Sequence, residues 1–313
     1  MNSPDPAATG RVTLRDVTLR DGLQDESPIA MADKLALYSA LVVAGVDDLE
    51  LTSFVRADRV PAMADADELA AATADPGGPT RWGLVLNRRG AERALAAGLR
   101  NVQFVVSVSD AHNRNNAGRP TAGSLEDLGQ IVELADADGA AVEVTLATAF
   151  GCPHTGPVDP ADVRRAADHA ARVGVRSIGL ADTIGTAIPT EVTALVRNVA
   201  ADHPDLPVGI HLHDTRGLAV TNALAAIDAG AVRVDGSVGG LGGCPFAPGA
   251  SGNLALEDLA HVLAEMGVAT GVDVERLIEA AELACRLVGR PVASHVGVAG
   301  PRFKTLSPLD ATP

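Results

Sequence analysis

Positive charge is scarce in this chain. Its 313 residues carry 25 Lys and Arg against 40 Asp and Glu, a formal net charge of −15. A surface of that sign repels phosphate backbones and anionic lipids, so neither a nucleic-acid binder nor a membrane-surface binder is expected. Aromatic residues make up only 2%, too few for base-stacking platforms. No apolar run approaches the roughly 18 residues of a membrane span. The opening Met1-Asn2-Ser3-Pro4-Asp5-Pro6 has no basic stretch leading into an apolar one, so no signal peptide is expected. Cys152, Cys244 and Cys285 are odd in number and form no Cys-x-x-Cys pair. A disulfide framework or structural zinc site is therefore not expected, and a cytoplasmic location is. What the chain does have is 47% hydrophobic residues, enough for a large core.

Apolar, β-branched runs alternate with Ala- and Leu-rich stretches along most of the length. Eight strands are predicted, near 11–19, 46–53, 81–86, 101–108, 141–148, 175–181, 207–213 and 231–238. Several are continuous apolar runs, as strands buried on both faces should be. Between them, 34–43, 91–97, 125–137, 161–173, 189–201 and 218–229 carry apolar residues at three- and four-residue spacing. Gly45, Gly98, Gly139, Gly174 and Gly230 stand where such helices should close. Parallel neighbours need crossovers, so eight strand–helix units predict an α/β fold, a closed (β/α)8 TIM barrel. An open doubly wound sheet is the alternative, but its Gly-x-Gly-x-x-Gly fingerprint after the first strand is missing. Two loops look long, 109–123 and 239–252, and 273–288 reads as an extra C-terminal helix. No linker divides the chain. The expected organisation is a disordered N-terminus over 1–10, the barrel with its extra helix over 11–290, and a tail over 291–313.

In a barrel, reactive groups gather where strands run out into the following loops. Arg20 and Asp21, Glu50 and Thr52, Asp182 and Thr183, and His211, His213 and Asp214 all fall at such places. Residues two apart on a strand share a face, so His211 and His213 can converge on one ion, and Asp21 could add a carboxylate oxygen. The plainer alternative is two histidines hydrogen-bonding at a loop edge. The glycine-rich run 239–252 suggests a flap or close backbone approach to a ligand, with Cys244 as a thiol able to serve as acid or base. Asn253 could be a hard ligand to the ion or the cap of the helix that follows. Arg20 could stabilise an oxyanion, with Glu50 holding it, or Arg20 and Asp21 could be a plain ion pair at the barrel rim. His112, Asn113, Arg114 and Arg119 could contact anionic groups of a ligand, though a solvated loop is the expectation, and Cys152 and Cys285 are read as structural.

Taken together, these stretches resemble the 3-hydroxy-3-methylglutaryl-CoA lyase family. Arg20-Asp21-Gly22-Leu23-Gln24 is similar to its first-strand motif and Glu50-Leu51-Thr52-Ser53-Phe54-Val55 to its second. Asp182-Thr183-Ile184-Gly185 and His211-Leu212-His213-Asp214-Thr215 match its sixth and seventh strands. Gly240-Leu241-Gly242-Gly243-Cys244-Pro245, followed by Gly249-Ala250-Ser251-Gly252-Asn253, is similar to its specific loop. The resemblance covers about 11 to 289.

It implies Mg²⁺ or Mn²⁺ held by Asp21, His211, His213 and Asn253. The catalytic set it implies is Arg20, Cys244, Glu50, Asp182 and His211, and Arg20, Gln24, Thr183 and Gly243 would contact an acyl-CoA substrate. A homodimer is also implied. The reaction would be carbon–carbon cleavage of 3-hydroxy-3-methylglutaryl-CoA or a close analogue to acetyl-CoA and a keto acid such as acetoacetate. Three features depart from the lyases, one of them the strand 4 loop with His112-Asn113-Arg114. Thr18-Leu19 replace the usual Gly-Pro before Arg20, as in the synthase branch. On strand 5, Glu143 and Thr145 stand where lyases have Arg and Tyr; if they line the acyl pocket, its charge and size change. A condensing transferase of the synthase branch and a non-catalytic acyl-CoA-binding barrel are the rival readings.

Overall fold

The computed structural model describes residues 11–243 and 252–303. The N-terminal ten residues, Cys244 with the rest of its loop to Ser251, and residues 304–313 lie outside the described part. Eight parallel strands close into a barrel in sequence order. They are β1 (Thr13–Asp16), β2 (Asp48–Ser53), β3 (Thr80–Val85), β4 (Asn101–Ser107), β5 (Ala141–Ala147), β6 (Ile178–Asp182), β7 (Val208–Leu212) and β8 (Arg233–Gly236). Closure is the pairing of β1 with β8, in which Arg15 sits opposite Asp235.

Helices α1 (Met31–Val43), α2 (Ala66–Ala72), α3 (Arg88–Ala96), α4 (Asp110–Ala117), α5 (Thr121–Ala137), α6 (Pro160–Val173), α7 (Pro189–Asp202) and α8 (Ala219–Asp228) make the crossovers. They are followed by α9 (Leu256–Glu265), α10 (Val274–Val288) and α11 (His295–Ala299). The five helix-closing glycines all have positive φ, between 68° and 110°, a region open to glycine at little cost. Among the described residues no helix is long and apolar enough to cross a membrane.

Period-two alternation sorts the strand side chains into two faces. Leu49, Leu51, Val102, Phe104, Val144, Leu146, Ile210, Leu212 and Val234 are buried apolar residues and supply the layer between strands and helices. The alternate positions are polar. Arg15 donates to Asp48 Oδ1 at 2.5 Å and to Glu143. Arg233 donates to Glu143 Oε2 and to Asp235 Oδ1, each at 2.7 Å. Barrel interiors are usually filled by branched apolar side chains; this one carries an ion network. Gly209 and Gly179 make space for it. A Cβ on Gly209 would stand 2.6 Å from the Arg233 guanidinium carbon, and one on Gly179 3.2 Å from its Nη2. Glu143 therefore serves this network and lies below the cavity described next, so the expectation that it alters an acyl pocket is corrected; Thr145 does line that cavity.

Three further expectations are revised. Strand 1 was read to 19 but ends at Asp16, because the Val17 carbonyl accepts N–H groups from Arg20, Asp21 and Gly22 at 2.8–3.2 Å. The stretch after strand 4 is not a long loop: Ser109 caps α4, and Gly118 closes it. His112 and Asn113 are buried there rather than solvated, the former bonded to Ser107 Oγ at 2.7 Å and the latter to Ser107 N, Arg119 O and Ser124 Oγ. Asn253 does not cap α9, whose N-cap residue is Ala255.

Candidate active site

The π-helical turn over Thr18–Gly22 carries Arg20 and Asp21 to the C-terminal mouth of the barrel. Arg20 donates from Nε to Glu50 Oε1 at 2.7 Å and from Nη2 to Glu50 Oε2 at 2.8 Å. Its third terminal group, Nη1, donates to Asp21 Oδ1. A guanidinium engaged on three sides is fixed in direction, which a carboxylate held at one point would not achieve. Burial lowers the Arg20 pKa, but Asp21 and Glu50 raise it further, so the group stays charged. Burial likewise pushes the Asp21 carboxyl up, and Arg20 with the two imidazoles outweighs that and holds it far below the usual carboxylate range.

His211 lies on β7 and His213 just beyond it, joined by an isolated antiparallel bridge to Asn253. Nε2 of His211 is 3.9 Å and Nε2 of His213 is 3.6 Å from Asp21 Oδ2. The three ligand atoms lie within 4.8 Å of one another, and among the described residues this is the one group of three or more His, Cys, Asp or Glu side chains close enough to share an ion. Asn253 completes the ring by donating from Nδ2 to Asp21 Oδ2 at 2.7 Å and to Leu241 O at 2.9 Å. Its Oδ1 is buried with no hydrogen-bond partner. Two imidazole nitrogens, a carboxylate oxygen and an unmet amide oxygen fit a divalent cation. Burial pushes His213 down to about 4, so it is neutral near pH 7, as a ligand must be. Burial also lowers His211, but Asp235 and Asp21 outweigh it and raise the pKa. Its Nδ1 is 3.7 Å from Asp235 Oδ2, which leaves Nε2 directed at Asp21.

A cavity of about 600 Å³ opens over this cluster, lined by Arg20, Asp21, Gln24, Thr183, His211, His213 and Gly243 among others. Seven of the expected site residues thus share one space. Glu50, fully buried, stands behind Arg20. Asp182 is not among the lining residues: its Oδ1 and Oδ2 accept the backbone N–H groups of Thr186 and Ala187, each at 2.9 Å. It shapes the loop that presents Thr183 and does not face the cavity. Cys244 lies outside the described residues. Cys152 and Cys285 are free and buried, and burial pushes the Cys285 thiol up to about 11, in keeping with a packing role.

Sequence reasoning missed Gln103 on the cavity wall, and Arg56 and Arg59, which line the cavity together with Arg114. It also missed Thr148, the one non-glycine residue with positive φ (57°) among the described residues. That conformation is held by Thr148 N donating to Thr183 Oγ1 at 2.8 Å and Ser109 N donating to Thr148 Oγ1 at 3.2 Å. A non-glycine in this region is strained and persists where its surroundings fix it, often beside a working site.

The profile of the HMGL-like family matches residues 11–284. The chain belongs to that family. Its relatives include the (R)-citramalyl-CoA lyase of Chloroflexus aurantiacus, 42% identical over 93% of this chain and 96% of that protein. The hydroxymethylglutaryl-CoA lyase YngG of Bacillus subtilis is 38% identical over 91% of this chain and 96% of its own length. Among solved structures, an HMG-CoA lyase from Acinetobacter baumannii in complex with coenzyme A and 3-methylmalate superposes with a TM-score of 0.90. It is 34% identical, over 98% of this chain and 99% of that one. The (β/α)8 architecture expected from eight strand–helix units is therefore both observed and shared.

Proposed function

We propose that the protein is a divalent-metal-dependent carbon–carbon lyase. It cleaves 3-hydroxy-3-methylglutaryl-CoA or a close branched 3-hydroxyacyl-CoA analogue to acetyl-CoA and a keto acid, acetoacetate for the former. The observation that carries this reading is the convergence of Asp21, His211 and His213 beside the fixed Arg20 guanidinium on one cavity. Asp21, His211, His213 and Asn253 would hold the ion, for which Mg²⁺ or Mn²⁺ is the assignment. When bound, such an ion acidifies a hydroxyl and polarises carbonyl oxygens that reach it.

The chain's own groups supply the rest. Transfer of the 3-hydroxyl proton to solvent water lets the C2–C3 bond break, and solvent later returns a proton to the thiol that protonates the enolate. The hydroxyl-bearing carbon becomes a ketone, and the bond's electron pair passes to the thioester as the enolate of acetyl-CoA. Arg20, directed by Glu50 and Asp21, donates to the thioester oxygen as charge builds there. Protonation of the enolate carbon completes acetyl-CoA, and Cys244, next in sequence to the cavity-lining Gly243, is the group assigned to it. Thr183 and Gln24 contact the acyl portion, and Asp182 positions Thr183. Arg56, Arg59 and Arg114 also line the cavity and would meet a coenzyme A phosphate, Arg56 and Arg114 by exchanging their present partners Asp58 and Asp110.

The test is incubation with a panel that includes 3-hydroxy-3-methylglutaryl-CoA and citramalyl-CoA, with Mg²⁺ or Mn²⁺ and after chelation, following acetyl-CoA. Acetyl-CoA formation that stops on chelation is expected. Failure to cleave any member, or turnover indifferent to chelator, contradicts the reading.

A further inference from the structure

Behind the two imidazoles, the interior ion network comes up against the metal ligands. The β7–β8 register pairs His211 with Asp235, and paired strand residues point to the same face. Asp235 is fully buried. Its Oδ1 accepts from Arg233 Nε at 2.7 Å. Its Oδ2 has no hydrogen-bond partner and stands 3.7 Å from His211 Nδ1. That is about 0.8 Å beyond an ordinary N–H···O bond, a gap that a small turn of the imidazole closes. The second imidazole is backed differently, since Nδ1 of His213 is buried with no hydrogen-bond partner. Arg233 is itself held in place, donating from Nη1 to Glu143 Oε2 at 2.7 Å.

A neutral imidazole can offer the Nε2 lone pair only when its proton is on Nδ1. A carboxylate behind Nδ1 fixes both that proton and the direction of the ring. Arg233 decides which oxygen of Asp235 is left for this task. With Oδ1 taken by the guanidinium, Oδ2 is the acceptor presented to His211. An amide in the same place would be oriented by the same donor, its oxygen toward Arg233 Nε and its NH2 toward Nδ1. An NH2 donating to Nδ1 puts the ring proton on Nε2, where it blocks the lone pair that an ion needs.

Resting on the lyase reading and its metal centre, we infer that Asp235 is a positioning residue for that reaction. Seated on Arg233, it keeps the His211 proton on Nδ1 and aims Nε2 at the space shared with Asp21 Oδ2. The interior ion network thereby supports the metal centre as well as the barrel, although neither Asp235 nor Arg233 takes part in the cleavage step.

The experiment measures Mn²⁺ affinity, by electron paramagnetic resonance of the free ion, for wild type, Asp235→Asn, Asp48→Asn and the double variant Arg233→Met with Asp235→Asn. Thermal melts check folding. Asp48→Asn perturbs the same network at its Arg15 end, away from His211, and should keep the affinity within about twofold of wild type. Asp235→Asn should bind about 10–100-fold more weakly. Removing the arginine frees the amide to turn its oxygen to Nδ1, so the double variant should bind better than Asp235→Asn alone, by about threefold or more. Long-range ¹H–¹⁵N spectra of histidine-labelled, metal-free protein in alkaline buffer should place the His211 proton on Nδ1 in wild type and on Nε2 in Asp235→Asn. These spectra decide the matter even where the double variant does not fold. Unchanged affinity in Asp235→Asn, an equal loss in the folded double variant, or a wild-type proton on Nε2 overturns the inference and leaves the metal centre standing. No Mn²⁺ bound by wild type overturns both.

Discussion

Replacing Arg20 by Lys separates the electrostatic role of this group from its structural one. The guanidinium meets Glu50 through two nitrogens, at 2.7 and 2.8 Å, and Asp21 through a third. An ammonium keeps the charge but has no planar fork, so Glu50, fully buried, retains at least one oxygen without a charged donor. A lost charge-assisted hydrogen bond is worth about 1.5–3 kcal/mol. The positive charge remains, so the full penalty of breaking a buried pair, about 3–5 kcal/mol, is not reached. A loss of roughly 2 kcal/mol is expected, seen as a melting temperature lower by about 4 °C. The catalytic loss should be larger, because the ammonium no longer points at the thioester oxygen. Removing one oxyanion donor typically costs about 10²–10³ in kcat. Steady-state acetyl-CoA formation at saturating Mg²⁺ should show kcat down by that factor, with KM moving far less. A variant that melts lower yet keeps wild-type kcat would refute the argument and leave Arg20 as a structural clamp.

Two further outcomes concern buried residues of the barrel strands. Burial raises the Asp16 carboxyl to about 7, so the native state keeps its proton between about pH 4 and 7, where the unfolded chain has lost it. Stability from this group is fully present below about pH 4 and falls as pH rises to 7, by up to roughly 4 kcal/mol. Urea titrations of Asp16→Asn should show that decline flattened relative to wild type; parallel pH profiles would count against it. Gly209→Ala places a methyl 2.6 Å from the Arg233 guanidinium carbon and should cost about 1–3 kcal/mol as overpacking. A neutral result in chemical denaturation would mean that the ion network has slack.

The strands were legible because apolar, β-branched runs alternate along the chain with helix-spaced stretches that close on glycine. The site residues were legible where a charged side chain leaves a buried strand, as at Glu50 and His211. Strand 1 was read too long because nothing in Val17-Thr18-Leu19 announces a carbonyl that accepts three N–H groups. Helix α4 was hidden because Asp110–Ala117 has no apolar stripe; its fixed points are the Ser109 cap and the inward bonds of Asn113. The interior ion network left a readable trace, since Arg15, Glu143, Arg233 and Asp235 are each flanked by an apolar residue within a strand. What the sequence withheld was which strands would bring them together. Gln103 was invisible for the same reason: a single amide in Val102-Gln103-Phe104-Val105 says nothing of the wall it faces until the barrel closes.

Binding of Mn²⁺ to chelator-stripped protein, followed by electron paramagnetic resonance of the free ion, tests the metal centre without any substrate. One ion per chain should bind to the wild type, with affinity at least 100-fold weaker in His211→Ala and in His213→Ala. Equal binding by all three proteins, or none by the wild type, would contradict the assignment of Asp21, His211 and His213 to a shared cation.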